Sequence, residues 1–492
     1  MVRTVGHRRR LALVAIAAAA LLGAAPATGH AAPSDYEVWL TDQNNTAGFS
    51  AATPRGTHGG RLLIYDGDDL DRARGAVDDP EVLELGSYYA IGGPNNATGA
   101  NVVRPHMIVP SPDQRYMALA FVAGGHVAVI EASTRRSVAL FRMTPGAGGA
   151  RQAHAAFWTR DGRALIVANQ NGKLLERIDH DPATGTFAHR TDATLDLANC
   201  VTPNGHPCQT ATPVNDSDPA YRGPNNRPDN APICPVMSSD DKAYTTLRGG
   251  GMLVVDVTRT PMAIVGEYGT SAIGRDGCGG RQRGDAVYLN SGSGTPVTNA
   301  SEFSLYELLN AFPGAPSFAP PNTPPATLFY SDPAAAGHDA HGMVMTRNDH
   351  FLWQFDRLAN EAQVFNPKTS PPTHVGTIDL ATPGLSTDPT PDIVERSPNG
   401  DRIYVALRGP LPQTGAHASA GNTPGLGIVS LRGNGRTGAL THVLRTSNIN
   451  PVDGSQESDP HGLAVRNRRP KDPVRLSSAR GVRRSLICNL TS

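Results

Sequence analysis

Four histidines of this chain stand at one fixed offset from a turn, and imidazoles repeated in that way can build a metal site. They are His106 in His-Met-Ile-Val-Pro-Ser, His154 in His-Ala-Ala-Phe-Trp-Thr, His341 in His-Gly-Met-Val-Met-Thr and His461 in His-Gly-Leu-Ala-Val. Histidine supplies only 16 of 492 residues, so four in one register is a pattern and not a consequence of composition. Two further segments place Cys234 and Asp392 in the same slot. Neutral imidazole suits copper, iron and zinc, so His106, His154, His341 and His461 are the candidate metal ligands. The candidate catalytic residues are His338, in the loop before His341, as a fifth ligand or acid/base, and Asp392, on the level of the ring. Asp339 and Asp459 each precede a ring histidine by two residues, where they are either acceptors for the second imidazole N–H or turn residues. Arg104, Arg151, Arg248, Arg281 and Arg408 lie near strand ends and either line an entrance for an anionic group or serve the surface.

The elements that must position these residues repeat. Each unit has a short strand at the marked residue, a turn such as Ser111-Pro-Asp or Ser397-Pro-Asn-Gly, and then a second strand such as Tyr116–Phe121, Ala164–Ala168 or Ile403–Leu407. A third strand and a fourth follow, as in His126–Ile130 and Ser137–Arg142. Short strands between turn residues, with almost no helical period, predict an all-β fold. Four-stranded units at this spacing predict a propeller. First strands fall at His106, His154, Cys234, near Asp276–Cys278, at His341, Asp392 and His461. The chain start offers Glu37–Thr41, Gly60–Tyr65 and Glu81–Leu85 without a first strand, so the two ends together complete a seventh blade and leave no free sheet edge.

The Ser-Pro-Asp-Gln-Arg-Tyr and Ser-Pro-Asn-Gly-Asp-Arg-Ile-Tyr-Val turns, with strands such as Gly251-Met-Leu-Val-Val-Asp-Val, resemble the seven-bladed propellers of the YVTN and quinoprotein-like superfamily, which includes lactonase-like proteins. The resemblance spans nearly all of residues 36–465 and implies fold far more than function, because such propellers host binding proteins, lyases, lactonases and oxidoreductases. In such a fold the first strands line the central channel, and equivalent positions share one circle around the axis. The insertions 196–232, 290–325 and 408–424 are expected to build one face and its rim.

Residues 1–32 read as an export signal: Arg3 and Arg8–Arg10, then the apolar run Leu11–Ala25, then a small-residue cleavage region. No later segment is long and apolar enough for a membrane helix. The expected division is therefore a signal peptide at 1–32, a propeller at 33–465 and a basic disordered tail at 466–492. The body carries 32 basic and 43 acidic residues, which argues against a nucleic-acid partner. Five cysteines in an exported chain suggest disulfides. Cys200 with Cys208 and Cys234 with Cys278 are the expected pairs, although Cys234 would favour copper or zinc if it stayed a thiolate.

The sequence lacks a Gly-x-Ser-x-Gly elbow, a His-Glu-x-x-His motif and a Cys-x-x-Cys-His haem site. What remains is a secreted propeller expected to act as a monomer on a small organic molecule. The leading expectation is a metal-dependent oxidoreductase using copper or iron, with zinc as a further candidate ion. The alternatives are a metal-free lactonase or lyase with channel histidines as acid and base, and a non-catalytic propeller that binds a ligand or protein.

Overall fold

The computed structural model describes residues 35–44, 59–72, 79–86, 96–214, 225–292, 303–312, 323–332, 337–414 and 420–468. Seven four-stranded antiparallel sheets follow one another around an axis, with a small extra hairpin of Thr210–Val214 and Asn225–Arg227. The fold is a seven-bladed β-propeller. Its innermost strands are Pro105–Pro110, Ala153–Trp158, Pro232–Met237, Gly280–Arg283, Ala340–Met345, Pro391–Arg396 and Pro460–Asn467. In the seventh blade Pro460–Asn467 pairs with Tyr36–Asp42, which leads to Arg61–Asp66 and Glu81–Glu84. Both chain ends thus close the ring, as the strand count predicts.

The turns explain why the repeat is so regular. Ser111, Thr159, Thr346 and Ser397 each accept a hydrogen bond from the backbone N–H that starts the second strand, at 2.9, 3.0, 2.9 and 3.1 Å. Such hydroxyl-capped turns fix where the second strand begins. Successive second and third strands are buried on both faces, as in Tyr116–Phe121 and Leu352–Asp356, because neighbouring blades pack face to face. Outer strands such as Arg136–Arg142 alternate between exposed and half-buried residues.

The innermost strands carry a second repeated device. The register slips between Pro105 and Ile108, Ala153 and Ala155, Pro232 and Pro235, Ala340 and Met343, and Pro391 and Val394. A bulge inserts a residue and re-aims its side chain, and four of these bulges contain His106, His154, His341 or Asp392. Glycine follows two of the histidines for a packing reason. A Cβ on Gly342 would lie 2.2 Å from the Asp392 carbonyl oxygen, and one on Gly462 would lie 2.0 Å from that of His106.

Four expectations need correction. The fourth innermost strand begins at Gly280, after the segment Asp276–Cys278. Arg466 and Arg468 belong to the closing blade and pair with Glu37, so the ordered chain runs past 465. The insertion 290–325 is divided by the strand Ser304–Leu309, so its two parts join strands at opposite ends of the blade. Cys234 lies one residue beyond the histidine register. Arg248 N–H bonds to the Ala231 carbonyl as Arg357 N–H does to Asp339 and Arg408 N–H to Thr390, which puts Ile233 in register with His341 and Asp392. The cause is local: Ser238 makes the turn, one residue earlier than Ser239. The signal at 1–32 and the tail beyond 468 lie outside the described residues.

Candidate functional site on the propeller axis

The five bulge or strand-start residues meet at the axis, and all are buried. His106, His154, His341 and His461 are between 1% and 5% exposed, and Asp392 is fully covered. Residues far apart in sequence touch there. His106 Nε2 lies 3.2 Å from His154 Nε2, and the His106 and His461 rings overlap with centroids 3.7 Å apart. His341 Nδ1 lies 2.9 Å from Asp392 Oδ1, and His461 Nε2 lies 3.6 Å from Asp392 Oδ2.

The four imidazoles do not form one equidistant set. The donor atoms of His341, Asp392 and His461 lie within 4.8 Å of one another and make one potential metal set. His106 stacks on that group through His461 and links it to His154. The expected four-histidine ring is therefore divided into a two-imidazole, one-carboxylate core and two flanking imidazoles. Asp392, on the level of the ring in the sequence reading, is part of the core.

Hydrogen bonding sharpens this picture. His106 Nδ1 and both ring nitrogens of His461 are buried and make no hydrogen bond among the described residues. Buried polar atoms ordinarily find partners, so each of these nitrogens has a lone pair or N–H left over for a ligand. Burial, reinforced by the neighbouring imidazoles, pushes His106 well below the ordinary histidine range. Burial likewise lowers His461 and takes His154 down to about 3. At neutral pH these rings are uncharged, the state in which imidazole binds a metal. Burial works to raise the Asp392 carboxyl, but His461, His341 and Arg357 outweigh it and hold it well below the ordinary carboxylate range.

Two arginines clamp that carboxylate from outside. Arg408 donates to Asp392 at 2.9 Å and to Asp459 at 2.6 and 2.9 Å. Arg357 donates to Asp339 at 2.9 Å and reaches Asp392 at 3.5 Å. Asp339 and Asp459 therefore hold arginines. His338 is also elsewhere: it pairs with Asp356 at 2.7 Å and Asp332 at 3.5 Å, away from the core's partners. The five arginines do not line one entrance. Arg408 is buried on Asp392, Arg248 pairs with Asp229, and Arg281 pairs with Glu395 at 2.9 Å.

Beyond the core, a cavity of about 290 Å³ follows the innermost strands. Its walls include Met107, Val109, Phe157, Met343 and Leu463, and His341, Arg281 and Glu395 also line it. Cys278, bonded to Cys234, also reaches this cavity. The arrangement can admit a small, mostly apolar molecule to the His341 side of the core.

Sequence reasoning missed Arg357 and the Asp392 clamp. Arg357 follows the strand Leu352–Asp356 just as Arg408 follows Arg402–Leu407, so the repeat places the two arginines alike but does not show which carboxylates they hold.

No protein-family model matches the chain, and no characterised protein matches it in sequence. Solved structures share the fold. A hypothetical selenium-binding protein from Sulfolobus tokodaii aligns with a TM-score of 0.54 at 10% identity, covering 89% of this chain and 94% of that one. A protein of unknown function from Desulfotomaculum acetoxidans gives 0.51 at 9% identity, covering 89% and 100%. A candidate 6-phosphogluconolactonase from Bacteroides fragilis gives 0.50 at 12% identity, covering 88% and 98%. At these identities the likeness establishes a seven-bladed propeller with lactonase-like and other structural neighbours, and nothing finer.

Proposed function

We propose that this chain is an exported small-molecule enzyme whose axial core, His341, Asp392 and His461, holds a transition metal. The observation that carries the reading is the set of buried, unbonded ring nitrogens on His461 and His106 beside the His341–Asp392 pair. Two imidazoles and one carboxylate with open positions suit iron(II), while the nearby imidazoles of His106 and His154 also suit copper. Bound there, either ion would supply one-electron redox chemistry or Lewis acidity to an oxidoreductase reaction. The protein's own part is separable. Arg357 and Arg408 keep Asp392 ionised, His106 limits how far His461 can turn, and the apolar cavity walls hold substrate while excluding bulk water. Two disulfides, Cys200–Cys208 and Cys234–Cys278, support an oxidising compartment. Among the described residues no helix is long and apolar enough to cross a membrane.

A second reading is favoured by the Bacteroides fragilis neighbour and by one contact. His341 faces the cavity with Asp392 behind it, the arrangement of an oriented general base, and a metal-free lactonase needs little more. That dyad leaves the other packed imidazoles unused, which is why the metal reading is preferred. His341→Ala separates the two. Under the metal reading, metal-loaded wild-type protein is active, chelated protein is not, and the variant loses both ion and turnover. Undiminished lactone hydrolysis by chelated wild-type protein, abolished by the same substitution, would establish the second reading and overturn the first.

A further inference from the structure

The gap in the ring lies at the third and fourth blades, and a disulfide fills it. By the backbone bonds that place Ile233 in register, Gly292 N–H to the Arg275 carbonyl places Gly277 there in the fourth blade. Neither residue can bind a metal through its side chain. Cys234 and Cys278 each follow by one residue, and they are bonded to each other. Cys234 Sγ lies 3.9 Å from His154 Nδ1, and the donor atoms of His154, Cys234 and Cys278 all lie within 4.8 Å of one another. All three side chains are buried.

We propose that this disulfide masks a second metal site, with Cys234, Cys278 and His154 as its ligands, exposed when a small thiol reduces it. The geometry suits zinc-type coordination. Sulfur at about 2.3 Å and nitrogen at about 2.0–2.1 Å from a tetrahedral ion stand roughly 3.5 Å apart, close to the Cys234–His154 separation. His154 serves the two sites through different atoms: Nε2 faces His106, and Nδ1 faces Cys234. The reductant has a route, because Cys278 reaches the axial cavity. Two electrons and two protons pass from two thiols, which become a disulfide, to Cys234–Cys278, which becomes two thiols. A divalent ion then binds both sulfurs and the imidazole as the two thiol protons leave to solvent. The donor set is soft, unlike the oxygen-containing core, so it selects zinc over iron. Cys200–Cys208 has no such role here, since it closes a surface loop and lies outside this donor group.

Cobalt(II) provides the probe, because thiolate ligands give it charge-transfer bands that imidazole and carboxylate ligands do not. The full protein is reduced with dithiothreitol, freed of it anaerobically, checked for retained fold by near-ultraviolet circular dichroism, and titrated. Reduced protein is expected to take up one more equivalent than oxidised protein, with thiolate-to-cobalt absorption. Protein carrying both Cys234→Ser and Cys278→Ser, treated alike, should show neither. The paired replacement Cys200→Ser with Cys208→Ser should keep both, as should Cys488→Ser at the chain's fifth cysteine, so the signal can be assigned even if one variant folds poorly. Absence of the sulfur band in reduced, folded wild-type protein overturns the proposal. So does a band that survives in that double variant, or a disulfide that resists reduction until the protein unfolds. Cobalt bound by the oxidised protein without sulfur bands reports the axial core separately, so either site can fail alone.

Discussion

The two sides of the axial ring are built on different physics. On the side of His341, Asp392 and His461, a buried carboxylate is locked between two buried arginines, each held in turn by another aspartate. On the side of His106 and His154, no such ion pair is present among the described residues, and the imidazoles pack against each other and the Cys234–Cys278 bridge. The first side is preset by charge. The second is held by burial of neutral rings. A site made this way has one donor set fixed by buried ion pairs, and one flank of packed imidazoles beside a reducible disulfide.

The largest expected effect comes from breaking the charged side. Asp392→Asn leaves Arg357 and Arg408 with fewer counter-charges in a fully buried place, and losing one partner of a buried ion network costs about 3–5 kcal/mol. Urea unfolding should register that loss, whereas a change within error would mean that Asp339 and Asp459 suffice to hold both arginines. Loss of metal binding should accompany it.

Acid tests the neutral side next. His154 is held down to about 3 when folded, below its unfolded value of about 6.5. The unfolded chain therefore binds the extra proton first as pH falls. The stability gained from keeping this ring neutral is complete above about pH 6.5 and declines toward pH 3, reaching a loss of roughly 2 kcal/mol at pH 5. His106 beside it, and His461 on the charged side, are also lowered by burial and act with the same sign. Metal-free protein should thus unfold more easily in urea at pH 5 than at pH 7, and His154→Ala should flatten that difference by about 2 kcal/mol. An equal pH dependence in wild type and variant would remove His154 from the account.

How much of this was legible in sequence follows the same division. The offset between histidine and turn hydroxyl revealed the ring because Ser111, Thr159 and Thr346 fix the strand register locally. Closure by both ends was legible because the leftover strands at each terminus add to one blade. The charged side was not. Arg357 and Arg408 capture Asp339 and Asp459 across strands and blades, and no short-range spacing encodes such a contact. Cys234 misled for a smaller reason: adjacent serines, Ser238 and Ser239, both fit the turn in sequence, and the backbone uses the first.

The smallest expected effect lies at the far end of the cavity. Arg281 and Glu395 form an ion pair at 2.9 Å, but their side chains are 30% and 37% exposed, and solvent screens such pairs to well under about 1 kcal/mol. Arg281→Ala should leave unfolding nearly unchanged. A loss rivalling that of Asp392→Asn would erase the contrast between the buried network and this exposed pair.

Elemental analysis of purified, oxidised protein after anaerobic loading with iron(II) or copper and removal of excess ion tests the central claim most directly. The account predicts one tightly held ion per chain in wild-type protein and little or none in His341→Ala. Wild-type protein that retains no ion, or a variant that retains as much as wild type, would contradict it.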